Sequence, residues 1–362
     1  MSTRAASRVR SVIWYFAVRS RRNDSLAHRA VRLNLLLAAL LAALAVAMAC
    51  GDDDGDTTAT TTGTSTATAS PAATEDGGST DDTIEVTDML GRTVEVPVGV
   101  QRIVALSPTA VEYVYAVGGT VVGRSSSVTF PAEAAAATDI GSAYTPSMEA
   151  VLALEPDLIV ADAVIHAQPQ LRSAIEALGV PVVFAGANSY QDVLDGIALM
   201  GQALGASERA DTVIADIEAA KQEAADAMAA SPATVVLLIA DRDETLYAAN
   251  AGSYAGDVFA QAGLTNVAGD QPDAGPFPGY SAVAPELLLQ LDPDYIFAVT
   301  PAPEPAPRLS AILAQIPPFQ GLTALTNGHV VELDPDIMLL APGPRVADAF
   351  RALAAAVSGS GA

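Results

Sequence analysis

Three histidines and one cysteine are all the imidazole and thiol chemistry this 362-residue chain holds. His28, His166 and His329 stand far apart, so no two of them have metal-binding helical spacing. With Cys50 alone, an intrachain disulfide is impossible and a cysteine metal cluster has no ligands. There is no G-x-S-x-G elbow, no phosphate-binding glycine loop and no credible Ser/His/Asp set. Acidic groups outnumber basic ones 42 to 18, yet no two stand out as a catalytic acid and base. What recurs is a spacing: Glu149 precedes Asp157 by the same interval at which Glu286 precedes Asp294. A carboxylate pattern that repeats without a nucleophile points to binding.

Each pair lies inside a longer repeat. Residues 141–161 read GSAYTPSMEAVLALEPDLIVA, and residues 279–299 read GYSAVAPELLLQLDPDYIFAV. Both run from a Tyr-bearing loop to a Glu at the head of a short apolar helix, then Leu-x-Pro-Asp and a strand. Leu152/Leu289, Leu154/Leu291 and Pro156/Pro293 fall in register. A copied loop, helix and strand predicts two similar halves. Strand and helix patterns alternate from 84 to 357, which predicts parallel sheets with crossover helices. Open sheets of that kind collect ligands at the carboxyl ends of their strands. Between the halves, the helical pattern of 207–230 would span about 36 Å, and Pro232 ends it. Such a connector allows only small opening and closing. The predicted fold class is therefore α/β, with two Rossmann-like lobes on parallel-sheet cores joined by a long rigid α-helix. The lobes are placed at 83–187 and 232–362, with the connecting helices at 188–231.

The first 82 residues have another character. Residues 35–49 (LLLAALLAALAVAMA) form an uncharged apolar run behind Arg29 and Arg32 and directly ahead of Cys50. A membrane span needs about 20 residues, so the run fits the core of a signal peptide occupying 1–50. Ala47-Met48-Ala49-Cys50 resembles a bacterial lipoprotein cleavage box in which Cys50 takes the lipid, with Ala47 where Leu is usual. An incidental thiol beside an uncleaved anchor is the other reading. Residues 51–82 are Thr, Ser, Gly and Asp with few large apolar groups, which predicts a disordered tether. The first fifty residues hold eight of the 18 basic groups and one of the 42 acidic ones, so the remainder carries a formal charge of −31. So acidic a surface repels nucleic acid and anionic lipid. Solubility or a salty habitat explains it, and attraction of a cationic ligand is the second explanation.

With these pieces placed, residues 84–357 resemble the class III, helical-backbone periplasmic binding proteins, which capture cobalamin, ferric siderophores or haem for ABC importers. The matching stretches include DMLGRTV from Asp88, RIVALSP from Arg102, PSMEAVLALEPD from Pro146 and PGPR from Pro342. The resemblance implies a monomeric, lipid-anchored protein on the outer face of the bacterial cytoplasmic membrane, with no enzymatic activity and no built-in cofactor. It would deliver a ferric siderophore or related iron chelate, alternatively a corrinoid or haem, to a permease dimer with its ATPase. In the family a Glu at the tip of each lobe docks on permease arginines, and Glu149 and Glu286 occupy those positions. A carboxylate in the first helical turn also suits the helix dipole. The family's cleft-facing loops map to Ser107 and Pro108, 125–130 with Phe130, Tyr144, 162–166 with His166, Tyr280 and Arg345. Aromatics there pack a flat or bulky ligand. Tyr280 fills an aromatic motif position, whereas Ala143 and Ser127 replace frequent aromatics, and core packing is the other reading of each Tyr. His166 is either a ligand to haem iron or cobalt, or a hydrogen-bonding group. Arg345 is either a partner for a siderophore carboxylate or catecholate, or half of a structural ion pair. A free metal-ion receptor would need more histidines, and a recycled adhesin or sensor is a further rival.

Overall fold

The structure, a computed structural model, describes residues 83–241, 243–274 and 277–359. The apolar run, Cys50 and the tether lie outside the described residues. The described chain opens with an antiparallel hairpin, β1 (Thr83–Thr87) and β2 (Thr93–Pro97). Asp88 closes its turn by accepting the N–H groups of Leu90 and Arg92, both at 3.0 Å. Arg92 clamps the same carboxylate at 2.6 Å and donates to the Val182 carbonyl, which ties the hairpin to the first lobe.

That lobe is built on β3 (Ile103–Ala105), β4 (Val121–Arg124), β5 (Thr138–Asp139), β8 (Leu158–Ala161) and β9 (Val182–Phe184), all parallel in the order β5-β4-β3-β8-β9. β3, β8 and β9 are buried along their whole length, because helices cover both faces of the sheet. Among those helices are α1 (Pro108–Ala116), α2 (Met148–Ala153) and α3 (Pro169–Glu176). A two-strand ribbon, β6 (Gly141–Ser142) with β7 (Thr145–Pro146), precedes α2.

The second lobe has its own sheet, with the expected parallel core and antiparallel strands added at one edge. β10 (Thr234–Ala240) is parallel to β12 (Thr265–Asn266) and β14 (Tyr295–Val299), and β14 to β15 (Val330–Leu333). β11 (Leu246–Ala249) and β13 (Tyr280–Ala282) are antiparallel additions at one edge. The reason is loop length. The chain leaves β10 through a turn closed by Asp241 and Thr245, too short for a crossover helix, so the next strand must run back.

Two helices, α4 (Tyr190–Ala203) and α5 (Ser207–Ala230), connect the lobes. Ala210, Ile217, Ala220, Ala224 and Met228 form the buried stripe of α5, at helical spacing. Gly201 lets the pair approach closely, since a Cβ there would stand 2.5 Å from that of Ala210. After the second lobe, with α6 (Tyr254–Gln261) and α7 (Pro285–Leu291) among its helices, the closing helix α10 (Val346–Gly359) returns to lie along α5. Arg351 on α10 pairs there with Asp216 at 2.9 Å. Two shorter helices, α8 (Leu309–Leu313) and α9 (Thr323–Thr326), lie between β14 and β15.

The repeated motif has a structural cause. Asp157 accepts the backbone N–H groups of Gln101 and Arg102 at 2.8 and 2.9 Å, at the entrance to β3. Asp294 accepts the N–H and hydroxyl of Thr234, the first residue of β10, at 2.8 and 2.7 Å. In each lobe the motif Asp clips the start of the neighbouring parallel strand. The residues before the motif prolines, Glu155 and Asp292, both take the left-handed conformation, at φ 44° and 37°. The hydrogen bonds from Thr234 hold the Asp294 carboxyl below the ordinary aspartate range. A carboxyl depressed in the fold contributes stability that is complete above about pH 4 and is lost as the pH falls through its folded value. Asp294→Ala should therefore lower stability by about 1–3 kcal/mol at neutral pH. In chemical denaturation the gap to the parent should shrink in acid.

Candidate functional site

β3 ends in Leu106 and Ser107, and Pro108 starts α1, where its missing N–H is harmless. The Ser107 hydroxyl caps α1 by accepting the Ala110 N–H, and donates to Asp162 Oδ2 at 3.0 Å. Asp162 follows β8, and its other oxygen accepts the N–H groups of Val164 and Ile165. Beneath this loop lies His166, fully buried. The Asp162 N–H donates to its Nδ1 at 2.7 Å, so Nε2 carries the proton and donates to the Ala143 carbonyl at 2.8 Å. Burial lowers the His166 pKa against the opposing pull of Ala143 and Asp162, which leaves the ring neutral. Both ring nitrogens are used. The cleft-facing reading of His166 is therefore corrected: it is a strut supporting the turn that carries Tyr144. Tyr144 itself is 59% exposed, and partial burial followed by the Asp162 carboxylate holds its hydroxyl above the ordinary tyrosine value.

The seam between the lobes is polar. Arg345, just ahead of α10, donates to both oxygens of Glu112 on α1, at 2.5 and 3.0 Å. Its guanidinium lies 4.6 Å from the centre of the Phe130 ring. Next door, Thr129 donates to Asp336 at 2.7 Å, which joins the loop after β4 to a π-helical turn of the second lobe, Asp336–Leu340. Burial pushes the Glu112 carboxyl up to about 7, against the pull of Arg345. Of the two sequence readings of Arg345, the ion pair is the one observed.

Tyr280 is also corrected. It lies on β13 opposite Ala249, is buried in the hydrophobic core, and burial raises its pKa. Ser107 is fully buried and Pro108 half-buried, so of the sequence-predicted cleft residues Phe130 and Tyr144 present large exposed surfaces. Glu149 on α2 and Glu286 on α7 are exposed, each in the first turn of its helix. Three residues further on, Leu152 and Leu289 are exposed as well, at 46% and 39%. A depression of about 410 Å³, lined by Pro97, Val100, Pro156 and Pro181 among others, lies at the opposite, amino ends of the first lobe's strands. Among the described residues no group of three His, Cys, Asp or Glu side chains is placed to hold a metal ion.

Comparison with known proteins now decides the family. The pattern described as periplasmic binding protein matches residues 103–337. The chain belongs to that family. A Bacillus subtilis (strain 168) relative, the uncharacterized ABC transporter substrate-binding lipoprotein YvrC, is 23% identical over 281 residues, which cover 76% of this chain and 85% of that one. The vitamin B12-binding protein of Salmonella choleraesuis is 32% identical over 94 residues, 26% of this chain and 35% of that one. Among solved structures, the periplasmic heme-binding protein RhuT of Roseiflexus sp. RS-1 superposes with a TM-score of 0.62 at 26% identity, covering 73% of this chain and all of that one.

Two residues of this periplasmic binding protein's seam escaped sequence reasoning. Glu112 sits among Ala, Val and Tyr with no local cation, and an acid in an apolar helix is a signal for a distant partner. Asp162 directly follows the apolar strand at 158–161, where a carboxylate can close the outgoing turn. Their neighbourhood predicts opposing pH effects. A histidine kept neutral by burial adds stability that is full above about pH 6.5 and falls as the pH drops towards its depressed folded value. Glu112 acts in the other direction, because its raised pKa makes stability fall as the pH rises from the ordinary glutamate range to about 7. Between pH 7 and 5, His166→Gln should lose less stability than the parent and Glu112→Gln more, as read by thermal melts across that range.

Proposed function

We propose that this chain is the substrate-binding component of an ABC importer, taking up a ferric siderophore or related iron chelate, with a corrinoid or haem as the alternative. The observation that carries this reading is the seam. The carboxyl end of β8 leads into the 162–166 loop, whose His166 supports the β6–β7 turn that carries Tyr144, and the 129–130 loop meets the 336–340 turn of the other lobe. Phe130 and Tyr144 are 45% and 59% exposed, and a large planar or globular ligand would cover such side chains. Binding proceeds by closure of two lobes held by α4 and α5, without a chemical step or resident cofactor. Ser107 and Pro108 shape the floor beside these aromatics, while His166 and Arg345 act from behind them.

The partner is a permease dimer with its ATPase, met by Glu149 on one lobe and Glu286 on the other. Leu152 and Leu289 support this, since the repeat exposes the same Glu-x-x-Leu pair twice. Two equal patches suit a partner with two equal halves. The protein works as a monomer anchored through lipid on Cys50 at the outer face of the cytoplasmic membrane.

Glu149→Lys with Glu286→Lys should abolish uptake in whole cells while leaving chelate affinity within about twofold; lost affinity would remove the docking assignment. Cys50→Ser should move the protein from the membrane fraction to the soluble or secreted one on fractionation. A panel of ferric chelates, cobalamin and haemin tests the reading itself. A ligand at 100 times its Kd should stabilise the protein by about 2.7 kcal/mol in thermal melts.

A further inference from the structure

We infer that the cleft takes a metal complex without net negative charge, an uncharged or cationic chelate held by apolar and aromatic surface instead of ion pairs. This rests on the binding-protein reading above and narrows its ligand. The argument starts from where the cations are. Every cationic side chain among the described residues already has a partner. Arg102 and Arg209 donate to backbone carbonyls, and Lys221 lies over the Tyr190 ring at 4.5 Å. Five other arginines pair with carboxylates, among them Arg124 at the carboxyl end of β4, which reaches Asp139 at 3.8 Å and donates to the Ser125 and Ala134 carbonyls. Arg345 is the one that pairs across to the other lobe among the described residues, and Glu112 holds it through both oxygens.

An anionic ligand could use Arg345 only by displacing Glu112. That would strand a carboxylate whose side chain is 2% exposed, with no other cation near it among the described residues. The surroundings add to the cost. Asp334 and Asp336 both act on the Glu112–Arg345 pair, and Asp162 stands at the head of α1. The local charge is therefore negative with Arg345 counted in. At longer range the formal charge of −31 beyond residue 50 repels anions and tolerates neutral or cationic guests.

The apolar surface fits the same conclusion. Phe130, Tyr144, Val164 and Leu340 are four of the seven large apolar side chains that stand exposed among the described residues. All four lie on the loops around the seam or the 336–340 turn, where stacking and desolvation of a bulky body need no countercharge. Ferric tricatecholates and ferric citrate are anions, and haem brings two propionates. Ferric trihydroxamates and corrins are uncharged or cationic.

The test is equilibrium dialysis of the full-length chain in detergent micelles, followed by visible absorbance. The probes are ferrioxamine B (cationic), cyanocobalamin (uncharged), ferric enterobactin and ferric citrate (anionic), and haemin. Ferrioxamine B or cyanocobalamin should bind at least about tenfold more tightly than any anionic probe. Glu112→Gln, which releases Arg345, should narrow that gap by raising affinity for the anions. An anionic chelate bound by the parent as tightly as the others overturns the charge assignment alone. Binding of none of the five overturns the importer reading and this inference with it.

Discussion

Glu112 and Arg345 meet where water barely reaches, one on the first helix of the first lobe and the other at the approach to the last helix of the chain. Withdrawing two charges from water costs several kcal/mol per ion, and the bidentate geometry offsets only part of it. Such a pair is a weak source of net stability, yet losing one partner costs about 3–5 kcal/mol because the other is left buried and uncompensated. Its consequence is positional. The lobes are fastened at a point that Phe130 covers from one side and the Thr129–Asp336 bond flanks. The seam therefore presents aromatic surface outward while its charges are spent on each other.

Around that fastening the molecule is braced by helices. The closing helix lies along α5, the Arg351–Asp216 pair joins them, and α4 carries the hydrogen bond from the Tyr190 N–H to Asp257 on α6 of the second lobe. This framework of packed helices favours small movements of the lobes over a wide swing.

The duplicated unit sets a second constraint. Asp157 and Asp294 each fasten the entrance of a central strand, and the left-handed Glu155 and Asp292 turn the chain into the strand that follows. Because each helix is thus fixed against its own sheet, the exposed Glu and Leu on α2 and α7 are held at matching places in the two lobes. One structural device serves stability and the presentation of a surface.

Much of this could be read from local pattern. The span of α5 follows from apolar and Ala spacing ended by Pro232, and the repeat from plain alignment of 141–161 with 279–299. Such features depend on contacts within a few turns, which residue order encodes directly. The two lobes accord with that reading. The fate of β11 and β13, the burial of Tyr280, the strut made by His166 and the partner of Arg345 did not follow from it. Glu112 and Arg345 are 233 residues apart, and His166 reaches Ala143 across β7, α2 and β8. Which of two chemically equal roles a polar side chain takes is settled by the groups that folding brings against it, because desolvation and hydrogen bonding act over a few ångströms of space and not along the chain.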